Sequence, residues 1–254
     1  MTRLLTDTFT LMKRALRETI RQPGFEAQNI FIPIFFFAVI TAAIGNSAGR
    51  AFGVDNYTGF QMPVAILQGI AGAASVSSFG MVTDIERGYF DKLLLTPTPR
   101  LALVLGRLAS DGVRVTLLTA LIMTVGLVAG AGMEAGVGGV IVILLMGGMF
   151  GVAYAGIGLS IALRTGNAQA SQAGFLIFFP LLFLSPAFAP KDNFEGWLKF
   201  LATINPVTYI LEGERSLVLS GWEWDKLGYA ALAIGGLGAF TLTLTMLSLR
   251  YRIR

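Results

Sequence analysis

Long apolar runs dominate the hydropathy pattern of this chain and predict helices that cross a membrane. A helix needs about 20 apolar residues to span the hydrocarbon core of a bilayer, and six stretches reach that length. They are 27–46, 61–82, 113–131, 137–163, 169–188 and 227–249. None has the strict alternation of a barrel strand. The pattern therefore predicts an all-α polytopic membrane protein with six transmembrane helices in a single domain, 1-254.

Composition supports the membrane class and removes several kinds of chemistry. Hydrophobic residues make up 54% of the 254 residues, charged residues 13%, and the mean hydropathy is +0.70. A soluble chain carries more charge. The sequence contains neither cysteine nor histidine, which excludes disulfides and the commonest proton-relay and metal-ligand side chain. The net charge of +4 needs no nucleic acid partner, because cytoplasmic arginines face anionic lipid headgroups.

The distribution of lysine and arginine predicts the orientation. Cytoplasmic loops of membrane proteins carry an excess of these residues. With both termini inside, fourteen of the 19 basic residues fall on the inner side. The five on the outer side are Arg50, Lys191, Lys199, Arg215 and Lys226. We therefore expect a multi-pass protein of the plasma (inner) membrane with both termini in the cytoplasm.

Residues 3–22 predict an amphipathic helix that lies at the membrane interface. Leu5, Phe9, Met12 and Ile20 recur at helical spacing on one face. Basic residues occupy another face, so the helix either touches a cytoplasmic partner or only anchors the N-terminus. The candidate residues are Phe9, Lys13, Arg14, Arg17 and Arg21.

A charged island at 84–99 separates the second and third predicted spans. It holds both charge signs, an aromatic pair and three consecutive leucines, and it ends in two Thr-Pro steps. A plain connection would need only a polar turn. The pattern indicates a short amphipathic helix at the membrane surface, offered to a soluble partner. The candidate contact residues are Asp84, Glu86, Arg87, Tyr89, Phe90, Asp91, Lys92, Leu94, Thr96 and Pro97.

The segment 189–226 is too apolar for a free outer loop and too broken for a span. Two helix-spaced apolar stretches meet at Asn205-Pro206, which favours a break. We expect two short re-entrant helices, with their apolar faces buried against the spans and their charged residues at the outer interface, near water, one another or a facing protomer. The candidate outer-gate residues are Pro186, Trp197, Asn205, Pro206, Tyr209, Glu212 and Arg215, with Glu214 as a further charged residue.

Sequence motifs of catalysis are missing. The chain has no phosphate-binding loop, no metalloprotease motif and no nucleophile elbow. We therefore predict a protein that is not an enzyme, with no catalytic residue and no metal site. Asp111 and Arg114 stand three residues apart at the start of the third predicted span, where we expect them to pair. No other acidic residue lies near the middle of a predicted span, which disfavours a proton relay.

Three stretches resemble the ABC type-2 permease family, most closely the permeases of daunorubicin and drug-resistance exporters. They are Glu86 to Arg100 with Gly106-Arg107, then Phe183 to Pro190, and Trp197 to Arg215 around Asn205-Pro206. Tyr89 departs from the pattern, where a small residue is usual. The resemblance implies that 84–99 is a coupling helix that fits an ATPase, braced by the N-terminal helix.

The same resemblance implies the partners of the chain. It would pair with itself or a close homologue and with two soluble ABC ATPase subunits, which bind ATP and Mg, so this chain would hold no cofactor. The expected function is the permease subunit of an ATP-driven exporter for a hydrophobic drug-like or lipid-like substrate. Export of a lipid-linked polysaccharide is an alternative within the family. An ion- or proton-coupled secondary carrier and a non-transport scaffold or channel are alternatives from other classes.

Overall fold

The computed structural model describes residues 2–21, 23–171 and 173–252, and all regular structure within them is helical. This confirms the all-α prediction. One 3-10 turn, Lys191–Asn193, joins the α-helices. The α-helices are α1 (Thr2–Ile20), α2 (Pro23–Phe52), α3 (Tyr57–Glu86), α4 (Tyr89–Leu94), α5 (Arg100–Val128), α6 (Gly136–Thr165), α7 (Ala168–Ser171), α8 (Ala173–Phe183), α9 (Gly196–Ile204), α10 (Pro206–Leu219) and α11 (Trp224–Arg252).

Five of the described helices are long and apolar enough to cross a membrane. They are α3, α5, α6, α11 and the part of α2 from Glu26 to Phe52, and each has 27 to 30 residues. At 1.5 Å per residue each is at least about 40 Å long, which exceeds the hydrocarbon core of about 30 Å. The fifth predicted span, 169–188, corresponds to α7 and α8 on either side of residue 172. The chain is thus a membrane-embedded, multi-pass protein.

Helix α3 forms the centre of the bundle and packs against α2, α5, α6 and α10. Its Ile66, Leu67 and Ile70 have no exposed surface. Glycines let the neighbouring helices approach closely. A Cβ at Gly151 of α6 would lie 2.6 Å from Val115 Cγ1 of α5, so no larger residue fits there. The glycine stripe of α6 therefore serves packing within the chain.

Helix α5 begins at Arg100, thirteen residues before the start of the third predicted span. The prediction placed that boundary wrongly because the first turns of α5 carry Arg107, Asp111 and Arg114. These three residues are buried. Arg107 and Arg114 contact acidic partners on neighbouring helices, and Asp111 pairs with Arg114 on α5 itself. Paired charges can thus lie on a helix that continues into the membrane.

The outer segment folds as two short helices, as the sequence predicts. Asn205 lies between α9 and α10, and its side chain accepts a hydrogen bond at 3.0 Å from the Val207 backbone N–H. Pro206 occupies the first turn of α10, where its missing N–H costs nothing. The membrane depth of this helix pair, and hence its re-entrant character, remains a prediction.

The expectation that both apolar faces of this segment are buried is wrong for α9. Trp197, Phe200 and Ile204 are 62 to 70% exposed, and only Ala202 of α9 is buried. Helix α10 meets the expectation, because it packs against α3 and α11. The described helices therefore leave Trp197, Phe200 and Ile204 of α9 largely uncovered.

Candidate functional site

Asp84 ties three helices together at the end of the bundle where α1 and α4 lie. Its carboxylate accepts two hydrogen bonds from Arg14 of α1, with Nη1 to Oδ2 at 2.9 Å and Nη2 to Oδ1 at 2.5 Å. Arg107 of α5 donates a third, from Nη2 to Oδ2 at 2.5 Å. Asp84 is only 7% exposed, and Glu18 of α1 adds a longer contact of 3.6 Å to Arg107. Bidentate, charge-assisted bonds of this kind are strong and directional.

The Arg14 side chain also links α1 to α4. Its guanidinium carbon lies 3.9 Å from the centroid of the Tyr89 ring. The hydrogen bonds to Asp84 raise the pKa of Arg14 further above its ordinary value. Gly88, with φ of +66°, lets the backbone turn sharply between α3 and α4, a conformation that suits glycine. The tyrosine that departs from the family pattern is therefore part of this contact.

Helix α4 is amphipathic and is anchored by Phe90. The Phe90 ring is 2% exposed and lies in the main core, where Leu93 and Leu94 pack beside it. The opposite side presents Asp91 and Lys92, which are exposed. The predicted coupling residues therefore divide into two sets. Asp84, Tyr89, Phe90 and Leu94 hold the helix, whereas Glu86, Arg87, Asp91, Lys92, Thr96 and Pro97 are exposed at the surface.

Leu95 is a candidate contact residue that sequence reasoning missed. It is 89% exposed, the highest value of any large apolar side chain in the described residues. It follows the last residue of α4, and the Thr96 hydroxyl closes the turn behind it by donating to the Leu93 carbonyl at 2.7 Å. Three consecutive leucines cannot all lie on one face of a helix, so the sequence itself indicated that one of them would be exposed.

A basic groove of about 760 Å³ runs beside α4. Three basic residues of α1, one that follows α1 and one that follows α3 line it, together with Glu18. The lining is Phe9, Thr10, Lys13, Arg14, Arg17, Glu18, Arg21 and Arg87. All five predicted residues of the interfacial helix thus face one groove. Lys13 lies over the Phe9 ring at 4.4 Å, while Arg17 and Arg21 are exposed. The groove therefore presents positive charge near the end of α3, where Arg87 lies.

A second buried charge cluster lies deeper, around Arg114. Its guanidinium is 3.3 Å from Asp111 Oδ1 and 3.2 Å from Glu26 Oε1 of α2, and it donates to the Ala73 carbonyl of α3. The predicted pair of Asp111 and Arg114 is confirmed. Glu26 was not singled out from the sequence, because its partner stands 88 positions later in the chain.

At the other end of the bundle, the guanidinium of Arg215 in α10 donates its hydrogen bonds to backbone carbonyls instead of to water. Its Nε donates to Phe60 O at 2.9 Å, Nη2 donates to Ala187 O at 2.9 Å, and Nη1 donates to Pro186 O. The guanidinium carbon also lies 3.4 Å from the Phe60 ring centroid. Burial lowers the pKa of Arg215 to about 9. The arginine thereby joins α10, α3 and the turn after α8.

Glu214, beside Arg215, differs from the sequence expectation. It has no exposed surface, and neither carboxylate oxygen has a hydrogen-bond partner within the described residues. Burial raises its pKa well above the ordinary value for a glutamate. The expectation that it reaches water is therefore wrong, and a carboxyl buried in this way favours the neutral form.

The other predicted outer residues form no single cluster. Asn205 is 4% exposed, and its Nδ2 donates to the Leu181 carbonyl of α8 at 2.5 Å. Tyr209 donates to the Thr203 carbonyl at 2.6 Å. Glu212 is half-buried, which raises its pKa, and Trp197 points away from Arg215's contacts as an exposed side chain of α9. The structure thus joins Pro186, Asn205 and Arg215 through the end of α8.

A small aromatic cavity of about 160 Å³ lies between α2, α3 and α8. Phe175, Phe178, Phe179 and Phe183 of α8 contribute much of its wall. Three amide side chains, from Gln28, Asn29 and Gln68, complete the lining. Asn29 Nδ2 is buried and has no partner in the described part of the chain. In the sequence, Asn29 is an amide inside an apolar run, and this exception could have drawn attention to it.

Chemistry beyond binding finds little support in these clusters. Among residues 2–21, 23–171 and 173–252, no group of three or more His, Cys, Asp or Glu side chains could hold a metal ion. The clusters around Asp84 and Arg114 are charge-paired, and the Arg215 guanidinium is saturated by carbonyl oxygens.

Comparison with known proteins decides the class. Residues 6–219 match the ABC-2 type transporter family. The chain belongs to this family. The resemblance inferred from the charged island and the Asn-Pro break is thereby confirmed. As an ABC-2 chain, it is a membrane transport subunit rather than an enzyme in its own right.

Several relatives of this ABC-2 chain are named as drug permeases. It is 25% identical to the daunorubicin resistance ABC transporter permease protein DrrB1 of Streptomyces coeruleorubidus over 95% of this chain and 85% of that protein. It is 24% identical to the probable doxorubicin resistance ABC transporter permease protein DrrC of Mycobacterium tuberculosis, over 85% and 77%. The probable multidrug ABC transporter permease YbhR of Escherichia coli is 24% identical over 67% and 46%.

Proposed function

We propose that this protein is the permease subunit of an ATP-driven exporter that moves a hydrophobic, drug-like or lipid-like molecule out of the cytoplasm or the inner leaflet. It resides in the plasma (inner) membrane with both termini in the cytoplasm. Two separate ATPase subunits bind ATP and Mg, and the permease pairs with a second copy or a close homologue. The observation that carries the proposal is helix α4, anchored by Phe90 and joined to α1 through Arg14.

Helix α4 has the geometry of a coupling element. A displacement of α4 moves the buried Phe90 ring, and through Gly88 it moves the end of α3 that carries Asp84. Arg14 and Arg107 hold that carboxylate, so α1 and α5 move with it. The exposed Leu95 offers an apolar contact that an ATPase pocket could enclose. The basic groove beside it suits an acidic ATPase surface.

The aromatic cavity and the names of the relatives support a drug-like substrate. The cavity is walled by phenylalanines, which favour flat apolar molecules. The unpartnered Asn29 Nδ2 would donate to a carbonyl or hydroxyl oxygen of such a molecule. Relatives are named for resistance to daunorubicin and doxorubicin. A polysaccharide would need a wider polar path than this lining offers, so we favour the drug-like substrate.

The outer helices α9 and α10 would control release on the far side. Arg215 holds α10 to the turn after α8 through the Pro186 and Ala187 carbonyls, and Asn205 holds it to Leu181. Movement of α8 would therefore displace α10 at the exit.

Substitution of Leu95 tests the coupling assignment. In proteoliposomes that contain the permease and its ATPase subunit, Leu95→Asp should reduce substrate-stimulated ATP hydrolysis and export at least tenfold. Leu95→Met is the matched control and should retain both activities. Full stimulation in Leu95→Asp, with normal co-purification of the ATPase, would remove α4 as the coupling element.

A further inference from the structure

A large cavity lies on the opposite side of α5 from the charge clusters and has no role in the proposed export path. It is an open groove of about 910 Å³ between α5, α6 and α11. Gly112, Gly148, Gly235 and Gly238 contribute to its lining and leave it deep, because they carry no side chains. Apolar residues form most of the remaining wall.

The length of the groove along α5 is close to the depth of one leaflet of a bilayer. Along α5 it runs from Leu105 to Leu117, which is about 18 Å at 1.5 Å per residue. Half of a hydrocarbon core of about 30 Å is about 15 Å. Leu117 and Met149 on its rim are 67% and 59% exposed, so the groove opens sideways toward the lipid phase. Its α5 residues lie mainly in the half of that helix nearer α1, whereas its α6 and α11 residues lie near the middle of those helices. The end of the groove at Leu105 therefore faces the inner leaflet in the orientation proposed above.

Thr8 of α1 lies at the end of the groove next to Leu105. The Thr8 hydroxyl is buried and has no hydrogen-bond partner within the described residues. The other hydroxyls of the lining are satisfied internally, since Thr116 donates to Gly112 O at 2.8 Å and Thr241 donates to Ala153 O at 2.7 Å. The groove thus has an apolar body and one unsatisfied polar atom at its mouth, which is the polarity of an acyl chain attached to an ester.

The charge at that end favours an anionic headgroup. Arg250 follows Leu242, another residue of the lining, by eight positions in α11, and it is exposed about 12 Å further toward the end of the helix. No acidic residue appears in the described lining of the groove. Arginine near the membrane surface attracts anionic lipids.

We propose that this groove is a binding site for one anionic phospholipid of the inner leaflet. One acyl chain lies over Gly235 and Gly238, and the ester region accepts a hydrogen bond from Thr8. The lipid would thereby join α1, which braces the coupling helix, to α11. Only the identity of the leaflet rests on the proposed orientation.

Native mass spectrometry of the purified protein tests this site, with phosphatidylglycerol and phosphatidylcholine of identical chains as probes. The wild type should retain one phospholipid per protomer, with phosphatidylglycerol at least fivefold preferred. Gly235→Leu should weaken retention at least tenfold, because a side chain there meets no protein atom within 4 Å and enters the groove. Gly236→Leu is the matched control, since it also has no atom within 4 Å but does not line the groove.

A second variant keeps the test independent of how Gly235→Leu folds. Thr8→Val removes an unpartnered hydroxyl and should lower phosphatidylglycerol retention about threefold, while Thr10→Val, at an exposed hydroxyl, should not. Equal retention by Gly235→Leu and Gly236→Leu would overturn the proposal. So would a dimer mass that Gly235→Leu abolishes without any change in bound lipid, because the occupant would then be a second copy of the chain.

Discussion

The carboxylate of Asp84 accepts hydrogen bonds from both terminal nitrogens of Arg14, a residue 70 positions earlier in the chain. This pair joins the N-terminal helix to the end of α3. Arg107 shares the same carboxylate, so one acid binds two arginines close to the start of α4. Removal of that acid would take the bidentate partner from Arg14 and leave Arg107 with its longer contact to Glu18.

The first prediction follows from this shared acid. Asp84→Asn should lower the free energy of unfolding by about 3 kcal/mol, because breaking a buried ion pair leaves uncompensated charge. Thermal unfolding in detergent measures the loss. Asp91→Asn on the exposed side of α4 is the control and should change stability by less than about 0.5 kcal/mol. Equal stability of Asp84→Asn and the wild type would contradict the clamp.

The second prediction concerns pH and Glu214. Burial raises the pKa of Glu214 in the folded state, so its contribution to stability is full below the unfolded pKa and is lost as pH rises through the folded pKa. Glu214→Gln should therefore be more stable than the wild type at pH 8 and nearly equal at pH 5. The range stays below the point where Arg215, with its pKa of about 9, titrates.

The control for this pH dependence is Glu223→Gln. Glu223 is largely exposed, and its hydrogen bond to Lys226 lowers its pKa. With this substitution, the melting temperature should depend on pH between pH 5 and pH 8 in the same way as it does in the wild type. If the melting temperature of Glu214→Gln also had the same pH dependence as the wild type, the assignment of a neutral, buried Glu214 carboxyl would be refuted.

The third prediction concerns the contacts of Arg215. Arg215→Met should destabilise the protein by about 3 kcal/mol, since three carbonyl oxygens lose their donor and buried unpaired groups cost about 1–3 kcal/mol each. Lys199→Met, at an exposed position of α9, is the control. Export should slow in Arg215→Met while ATPase binding persists. Unchanged stability and export would disprove a structural role for this arginine.

The fourth prediction tests topology, and the absence of cysteine from the sequence makes labelling clean. Single cysteines at Asp55 and Asn193 should react with an impermeant maleimide added outside intact cells. Cysteines at Lys92 and Thr165 should react only after permeabilisation. All four positions are exposed. Reversed accessibility would overturn the orientation with both termini inside.

Sequence reasoning succeeded where a residue's role depends on its neighbours in the chain. The short helix around Phe90 and the break at Asn205 follow from periodicity and from proline, and both are present. It did not predict the contacts of Arg14 with Asp84 or of Arg215 with Phe60. Those partners lie 70 and 155 positions away, and only the packing of helices brings them together.

The errors of sequence reasoning have a related cause. The burial of Glu214 could not be predicted, because hydrophobicity scales treat a carboxylate as a group that stays in water. The exposure of Trp197 was missed for the opposite reason, since an apolar face does not say whether protein or lipid covers it.

Helix α3 connects the contacts at the two ends of the bundle, which has a consequence for how binding at one end affects binding at the other. It carries Phe60, held by Arg215, near one end and Asp84, held by Arg14, near the other, about 36 Å apart at 1.5 Å per residue. Pro63, close to Phe60, is the only proline within this helix. The two faces of the membrane therefore share one stiff element, and thermodynamic linkage makes any influence mutual. In the proposed function, a molecule bound near Arg215 on its way out would change the affinity of the permease for its cytoplasmic partner by some factor. Binding of that partner would change the affinity of the permease for the molecule by the same factor.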